Sequence, residues 1–293
     1  GVEIRQVTID FSTHHHPFFI VPAYDDQMKR LIFVSHRTGS PQIFAEIRET
    51  GELMQLTDRA DLSPWSIYPS HDGSAVFFTA VTSGWRLNLD SLEEVELVNF
   101  SATRMRERGM VGAAMGTTAL SSDDQRWAVR YNIADEVALS IVDTSTGQQE
   151  TILRRDSIGH MQFCPDDPDL LYYAGPLTDR VWVINWDGSN NRRLYVRNVE
   201  RNEWITHESW IPTTRELAFV DWPHGIRCVH VDTGVERRIA SFNAWHATCS
   251  TDGSMMVADT NFPDVGIQIF DPRNGIGEPT PLCYAGATSV GAH

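Results

Sequence analysis

The chain of 293 residues has four cysteines, Cys164, Cys228, Cys249 and Cys283, scattered with no C-x-x-C pair. Buried free thiols are therefore the expectation, and no cysteine-based metal or redox motif is present. Cations are in deficit: 24 lysines and arginines against 39 acids leave a net charge of −15. That argues against nucleic acid, because phosphate binding needs a cationic surface. An anionic small molecule would have to be drawn to a local cationic pocket against the field of the whole chain. No apolar run approaches the roughly 18–20 residues of a membrane span, so no membrane partner is expected. No signal peptide is visible, which leaves the cytoplasm or the periplasm as the expected compartment. A helical period of 3.6 residues is missing from every long window.

What the chain does have is one unit, repeated. A turn rich in Asp, Ser and Gly precedes an apolar, β-rich run; a polar break, a second run and another turn follow. Ser70-His71-Asp72-Gly73 leads into Ala75–Thr79, Ser122-Asp123-Asp124 into Trp127–Tyr131, and Thr251-Asp252-Gly253 into Met255–Ala258. Asp26, Asp166 and Thr213 anchor three more copies, before Leu31–Ser35, Leu170–Tyr173 and Leu217–Val220. The anchor spacings, 46, 51, 43, 47 and 39 residues, are the length of a four-stranded propeller blade. Asp-Gly supplies the positive φ of a tight hairpin, and Asp143–Gly147 and Asp232-Thr233-Gly234 read as a second hairpin of the same blade position. The expected fold is all-β: one domain over residues 1–293, a β-propeller of about seven four-stranded blades, of which the last need not be complete. Residues 2–10 are expected to add a strand that closes the ring. The expectation leaves two ways to close the ring: about six blades plus a patched closure, or a C-terminal piece that this chain lacks. A β-sandwich is the competing architecture.

Histidines recur at one phase of the repeat, ahead of the turns, where a blade's inner strand meets the central channel. They stand in Thr13-His14-His15-His16-Pro17-Phe18, Gly159-His160-Met161-Gln162, Thr206-His207-Glu208-Ser209-Trp210 and Trp245-His246-Ala247, with His293 at the end of the chain. Any one of them alone reads as a half-buried, hydrogen-bonded core histidine. The set in register suggests imidazoles converging on a divalent metal, a proton-transfer site, or both. No H-x-x-x-H pair occurs, so ligands would come from separate blades. Arg180 precedes the apolar strand Val181–Asn185 and its Asp187-Gly188-Ser189-Asn190 turn.

At these residues the sequence resembles the oligogalacturonate lyases, metal-dependent propeller enzymes of pectin breakdown. The likeness is carried by Arg180–Asn190, by Thr206–Pro212 as Thr-His-Glu-x-Trp-x-Pro, by His246–Asp259 with its Asp-Gly-Ser-Met-Met-Val run, and by Gly159-His160. It runs over most of residues 150–283 and loosely before that. The resemblance implies β-elimination on a short, acidic oligosaccharide. His207 would be the general base and Arg180 its catalytic partner, keeping the histidine unprotonated or gripping the sugar acid. His160 and His16 would bind substrate. His246 and His293 would ligate the metal, usually Mn2+. The family's remaining ligands, a Gln and a second C-terminal histidine, have no counterpart here. The alternatives are a lyase for another uronate linkage such as glucuronate, a non-catalytic TolB- or WD-like scaffold, and a sugar-binding or hydrolytic relative that has lost its metal.

Overall fold

A computed structural model describes residues 3–100, 117–133, 136–261 and 263–284. Among these residues it contains strands and turns but no helix, and none long and apolar enough to cross a membrane. The strands form six four-stranded antiparallel meanders. The first sheet is β1 (His14–His15), β2 (Arg30–Ser35), β3 (Gln42–Ile47) and β4 (Leu53–Gln55). The second is β5 (Tyr68–Pro69), β6 (Ala75–Ala80), β7 (Ser83–Asn88) and β8 (Glu94–Asn99). The third is β9 (Ala119–Leu120), β10 (Arg126–Ile133), β11 (Glu136–Asp143) and β12 (Gln149–Arg155). The fourth is β13 (Gly159–Cys164), β14 (Asp167–Ala174), β15 (Val181–Asn185) and β16 (Arg192–Tyr195). The fifth is β17 (Trp204–Ile211), β18 (Glu216–Trp222), β19 (Gly225–His230) and β20 (Glu236–Ala240). The sixth is β21 (Ala244–Cys249), β22 (Met256–Thr260), β23 (Ile267–Phe270) and β24 (Thr280–Cys283). The chain divides into two compact units, Arg5–Val196 with the first four sheets, and Arg197–His293 with Gly1–Ile4 carrying the last two.

Every anchored apolar run is the second strand of a sheet, and in the second, third and sixth sheets the polar turn before it has the same chemistry. Ser70 Oγ donates to Asp72 Oδ1 at 2.7 Å and accepts from the Ala75 N–H at 2.9 Å. Ser121 does the same with Asp123 and Arg126, and Ser250 with Asp252 and Met255. One anchor of the sequence repeat falls in each sheet, so six anchors give six sheets, in place of the expected seven. The further blade rested on His293, which lies outside the described residues, and the sixth sheet has all four strands. The proposed closing strand is not found either: residues 3–10 have no ladder partner.

Second strands read as continuous apolar runs because both faces are covered. In β6, Val76, Phe78 and Ala80 pack with Ile32, Val34 and Ile43 of the first sheet. The alternate residues Ala75 and Phe77 pack with Trp127, Val129 and Tyr131 of the third. Ala128, on the other face of β10, joins Met161, Leu171 and Tyr173 of the fourth. In the second unit, Ala218 and Val220 of the fifth sheet meet Met256 and Ala258 of the sixth. Sheets thus stack face to face within each unit, and strand alternation sends apolar side chains to both neighbours. None of the four cysteines is in a disulfide; Cys164 and Cys228 are buried and the other two half-buried.

The turn Asp143–Gly147 illustrates how tightly the sequence is fitted. Gly147 has φ 72°, and a Cβ there would lie 2.0 Å from the Leu97 carbonyl oxygen. Gly147→Ala should therefore destabilise the protein by about 1–3 kcal/mol, from the left-handed backbone and the overpacking together. A chemical denaturation midpoint equal to that of wild type would show that the turn relaxes freely.

Candidate functional site

The pairing between first and second strand skips at the same place in three successive sheets. Gly159 pairs with Ala174 but Gln162 with Tyr172; Thr206 with Val220 but Ser209 with Ala218; Ala244 with Thr260 but Ala247 with Ala258. Two residues therefore face one: His160-Met161 opposite Tyr173, His207-Glu208 opposite Phe219, and Trp245-His246 opposite Asp259. A bulge of this kind re-aims a side chain that strand alternation would fix elsewhere. His160 and His207 hold the first bulge position, with φ of 48° and 51°. A left-handed backbone costs a non-glycine residue on the order of 1–3 kcal/mol and persists where the surroundings over-determine it, often at a functional site. The histidines thus lie inside the first strands rather than just ahead of them, His246 one position further on than the other two.

Hydrogen bonding fixes the tautomer of each imidazole. A backbone carbonyl only accepts, so His207 Nδ1 carries the proton it donates to the Trp245 carbonyl, and the lone pair of the uncharged ring sits on Nε2. The Trp245 ring meets His207 edge-on at 4.9 Å, and the His246 ring lies 4.2 Å away. His246 Nδ1 donates to Asp259 Oδ2 at 2.9 Å, and the His246 backbone N–H donates to Oδ1 at 2.6 Å. Burial pushes the Asp259 carboxyl up. The hydrogen bonds and charge of His246 outweigh this, with His207 adding to them, and hold it below the usual carboxylate range. A carboxylate on the far nitrogen is the usual means of orienting a metal-ligating histidine, so His246 fits the ligand role through Nε2.

In the other unit, Arg180 and His160 form a pair. Arg180 Nη2 lies 2.9 Å from His160 Nδ1. A guanidinium can only donate, so His160 accepts on Nδ1 and carries its proton on Nε2. His160 is 8% exposed, and the rings of Phe18 and Phe19 cover it at 5.6 and 6.4 Å. Phe18 also meets Trp65 edge-on at 6.4 Å, and His15 stacks on Trp65 at 4.4 Å. Burial pushes the His15 imidazole below its ordinary value, and His36 and His16 add to that by charge. His16 follows β1, is exposed, and accepts from His15 Nδ1 through its carbonyl. His14 and His15 are thus built into the first sheet, with His16 just beyond it.

Six site residues were expected from the sequence. His207 and His246 adjoin each other in one unit, and His160 and Arg180 are bonded in the other, within which His16 also lies. The residue that Arg180 directly contacts is His160. His293 lies outside the described residues. Among the described residues no group of three His, Cys, Asp or Glu side chains is arranged to hold a metal. Asp259, Trp245, Trp65 and the pair Phe18-Phe19 were not singled out from sequence. Asp259 was within reach, since it faces the bulge that carries His246.

A family model described as oligogalacturonate lyase matches residues 1–285. An oligogalacturonate lyase of Dickeya dadantii (strain 3937) is 25% identical over all of this chain and 81% of its own length. Among solved structures, an oligogalacturonate lyase in complex with manganese superposes with a TM-score of 0.81 at 22% identity, covering 94% of this chain and 80% of that one. An oligogalacturonate lyase from Vibrio parahaemolyticus gives 0.81 at 21% identity, over 96% and 82%. The fold is accordingly an all-β propeller of four-stranded blades.

Proposed function

We propose, since the chain belongs to the oligogalacturonate lyase family, that it is a carbon–oxygen lyase that cleaves short oligogalacturonides by β-elimination, leaving a 4,5-unsaturated uronate. The observation that carries this reading beyond family membership is the held state of His207. It sits at a strained bulge with Nδ1 bonded to the Trp245 carbonyl, which leaves Nε2 as a fixed proton acceptor. The reaction needs such a group. The C5 proton is α to a carboxylate and only weakly acidic, so a base must remove it while the carboxylate's charge is neutralised.

The roles are assigned as follows. His207 Nε2 takes the C5 proton, the C–H electrons form the C4–C5 double bond, and the C4–O4 bond breaks with its pair on O4, which takes a proton from water to leave as a hydroxyl. Arg180 offers a planar fork to the uronate carboxylate. His160, accepting from Arg180 on Nδ1, presents Nε2–H as a donor to the sugar. His16 contributes a further polar contact. A divalent cation, Mn2+ as in the solved relative, would be held by His246 and His293 and would supply additional neutralisation of the carboxylate. We read the two compact units as parts of one propeller domain spanning residues 1–293.

The test is direct. Purified protein mixed with tri- or tetragalacturonate and Mn2+ should produce a growing ultraviolet absorbance from the conjugated unsaturated uronate. No absorbance change with galacturonate oligomers would overturn the reading. Turnover of glucuronate oligomers alone would move it to another uronate linkage.

A further inference from the structure

A charged pocket in the same unit as His207 has no part in the roles assigned above. It has a volume of about 240 Å³, room for one sugar ring, and is lined by Arg201, Glu203, Asp221, His224, Arg227 and Arg238. Two of these residues are structural. Glu203, 3% exposed, accepts from Arg227 Nη1 at 2.8 Å and from the Asn198 N–H at 2.7 Å. Arg227 is further paired with Glu236. Asp221 is different. It is also 3% exposed, yet its Oδ1 is buried with no hydrogen-bond partner. The two nearest guanidinium groups stand off from Oδ2, Arg227 at 3.7 Å and Arg238 at 4.0 Å, beyond hydrogen-bond distance. Buried carboxylate oxygens are almost always satisfied, so this one calls for a donor from outside the chain. Arg238 gives Nη1 to the His224 carbonyl at 2.6 Å, and Arg201 has no ion pair among the described residues, so cationic donors face the same space.

The pocket also connects to His207. Glu203 precedes Trp204 and Asp221 precedes Trp222, and those two tryptophans are cross-strand partners. Trp204 and Trp222 meet at 5.7 Å, and each meets Trp245, at 6.5 and 6.2 Å. Trp245 in turn contacts the His207 ring. Trp204 is 45% exposed, an aromatic surface of the kind that lines ligand sites.

We propose that this pocket is a second uronosyl-binding subsite, in which sugar hydroxyls donate to Asp221 and the sugar carboxylate pairs with Arg238 and Arg201, the tryptophans carrying the chain between it and His207. The inference takes the identity of the sugar from the lyase reading. It explains how a chain of net charge −15 holds an anionic oligomer, by a short run of local cationic contacts.

The experiment is calorimetric binding of di- to hexagalacturonate to the His207→Ala protein, which leaves the ligand intact. Adding Arg238→Ala should weaken binding of the longest oligomers roughly tenfold or more, the loss expected for a hydrogen bond to a charged group, and leave digalacturonate unaffected. Asp221→Asn, which turns an acceptor into a donor, should act in the same length-dependent way. Loss at every length alike, or at none, would overturn the subsite and make the pocket a hydrated ion-pair cluster. Should Arg238→Ala lower the melting temperature, the exposed Arg201→Ala decides by the same criterion. Turnover by the wild type is read separately. Its absence, with length-dependent binding intact, would sink the lyase reading and leave the subsite standing.

Discussion

His207→Ala is expected to reduce turnover of oligogalacturonides by roughly 10²–10⁴-fold, the usual contribution of a general base, while the melting temperature stays near that of wild type. The expectation rests on the ring's fixed tautomer. With Nδ1–H committed to the Trp245 carbonyl, Nε2 is the ring atom that accepts a proton, and alanine has no group to take its place. The structural cost of losing the side chain is expected to be small, since the residue is half-buried rather than part of the packed core. Backbone strain is the one complication, because φ is 51° here. His207→Asn separates the two effects: asparagine tolerates a left-handed backbone but is no base. Both variants should be equally inactive, and the acidic limb of the pH–rate profile, where the base becomes protonated, should vanish from whatever activity remains. An undiminished rate in His207→Ala would remove the assignment.

How much of this was legible in the sequence depends on whether a feature is local or relational. The second strands, such as Ala75–Ala80 and Asp167–Ala174, are continuous apolar runs bounded by Asp-containing turns, and both signals lie within a few consecutive residues. Three of those turns share one closure, a serine two positions ahead of an aspartate. First strands such as Tyr68–Pro69 and Ala119–Leu120 are two residues long and have no pattern of their own; they exist because a neighbour pairs with them. The bulges at His160, His207 and Trp245 were invisible for the same reason. A skipped register is a property of two strands, and no residue type announces it. The histidines were legible as a recurring phase, but not that they lie within the strand. Arg180 stood out by its place before Val181, whereas its partner His160, twenty residues earlier, became clear only when the hairpin folded back. The count of blades went astray where the anchors ended and His293 was asked to stand for another.

Arg180→Lys is expected to lower turnover nearly as much as Arg180→Ala, by roughly 10²–10³-fold, the range seen when one preorganised donor to a developing negative charge is removed. Charge alone is not what the position supplies. Arg180 gives Nη2 to His160 Nδ1 at 2.9 Å, and its guanidinium is a planar fork with five N–H donors, the shape that matches a carboxylate. A lysine ammonium placed against His160 is a single point with no second edge to offer. Its backbone is also held: the Gly175 N–H donates to the Arg180 carbonyl at 2.8 Å, and a Cβ on Gly175 would lie 2.2 Å from the Asp179 oxygen. The hairpin is too tight to slide and bring a shorter head into place. Because Arg180 also fixes the tautomer of His160, the two should behave as one unit. His160→Ala and Arg180→Ala should each cost much of what the double variant costs, so that their effects on kcat fall far short of multiplying. A lysine variant with wild-type kcat would show that position 180 provides charge only. Fully multiplicative losses would show that the Arg180–His160 hydrogen bond has no bearing on the reaction.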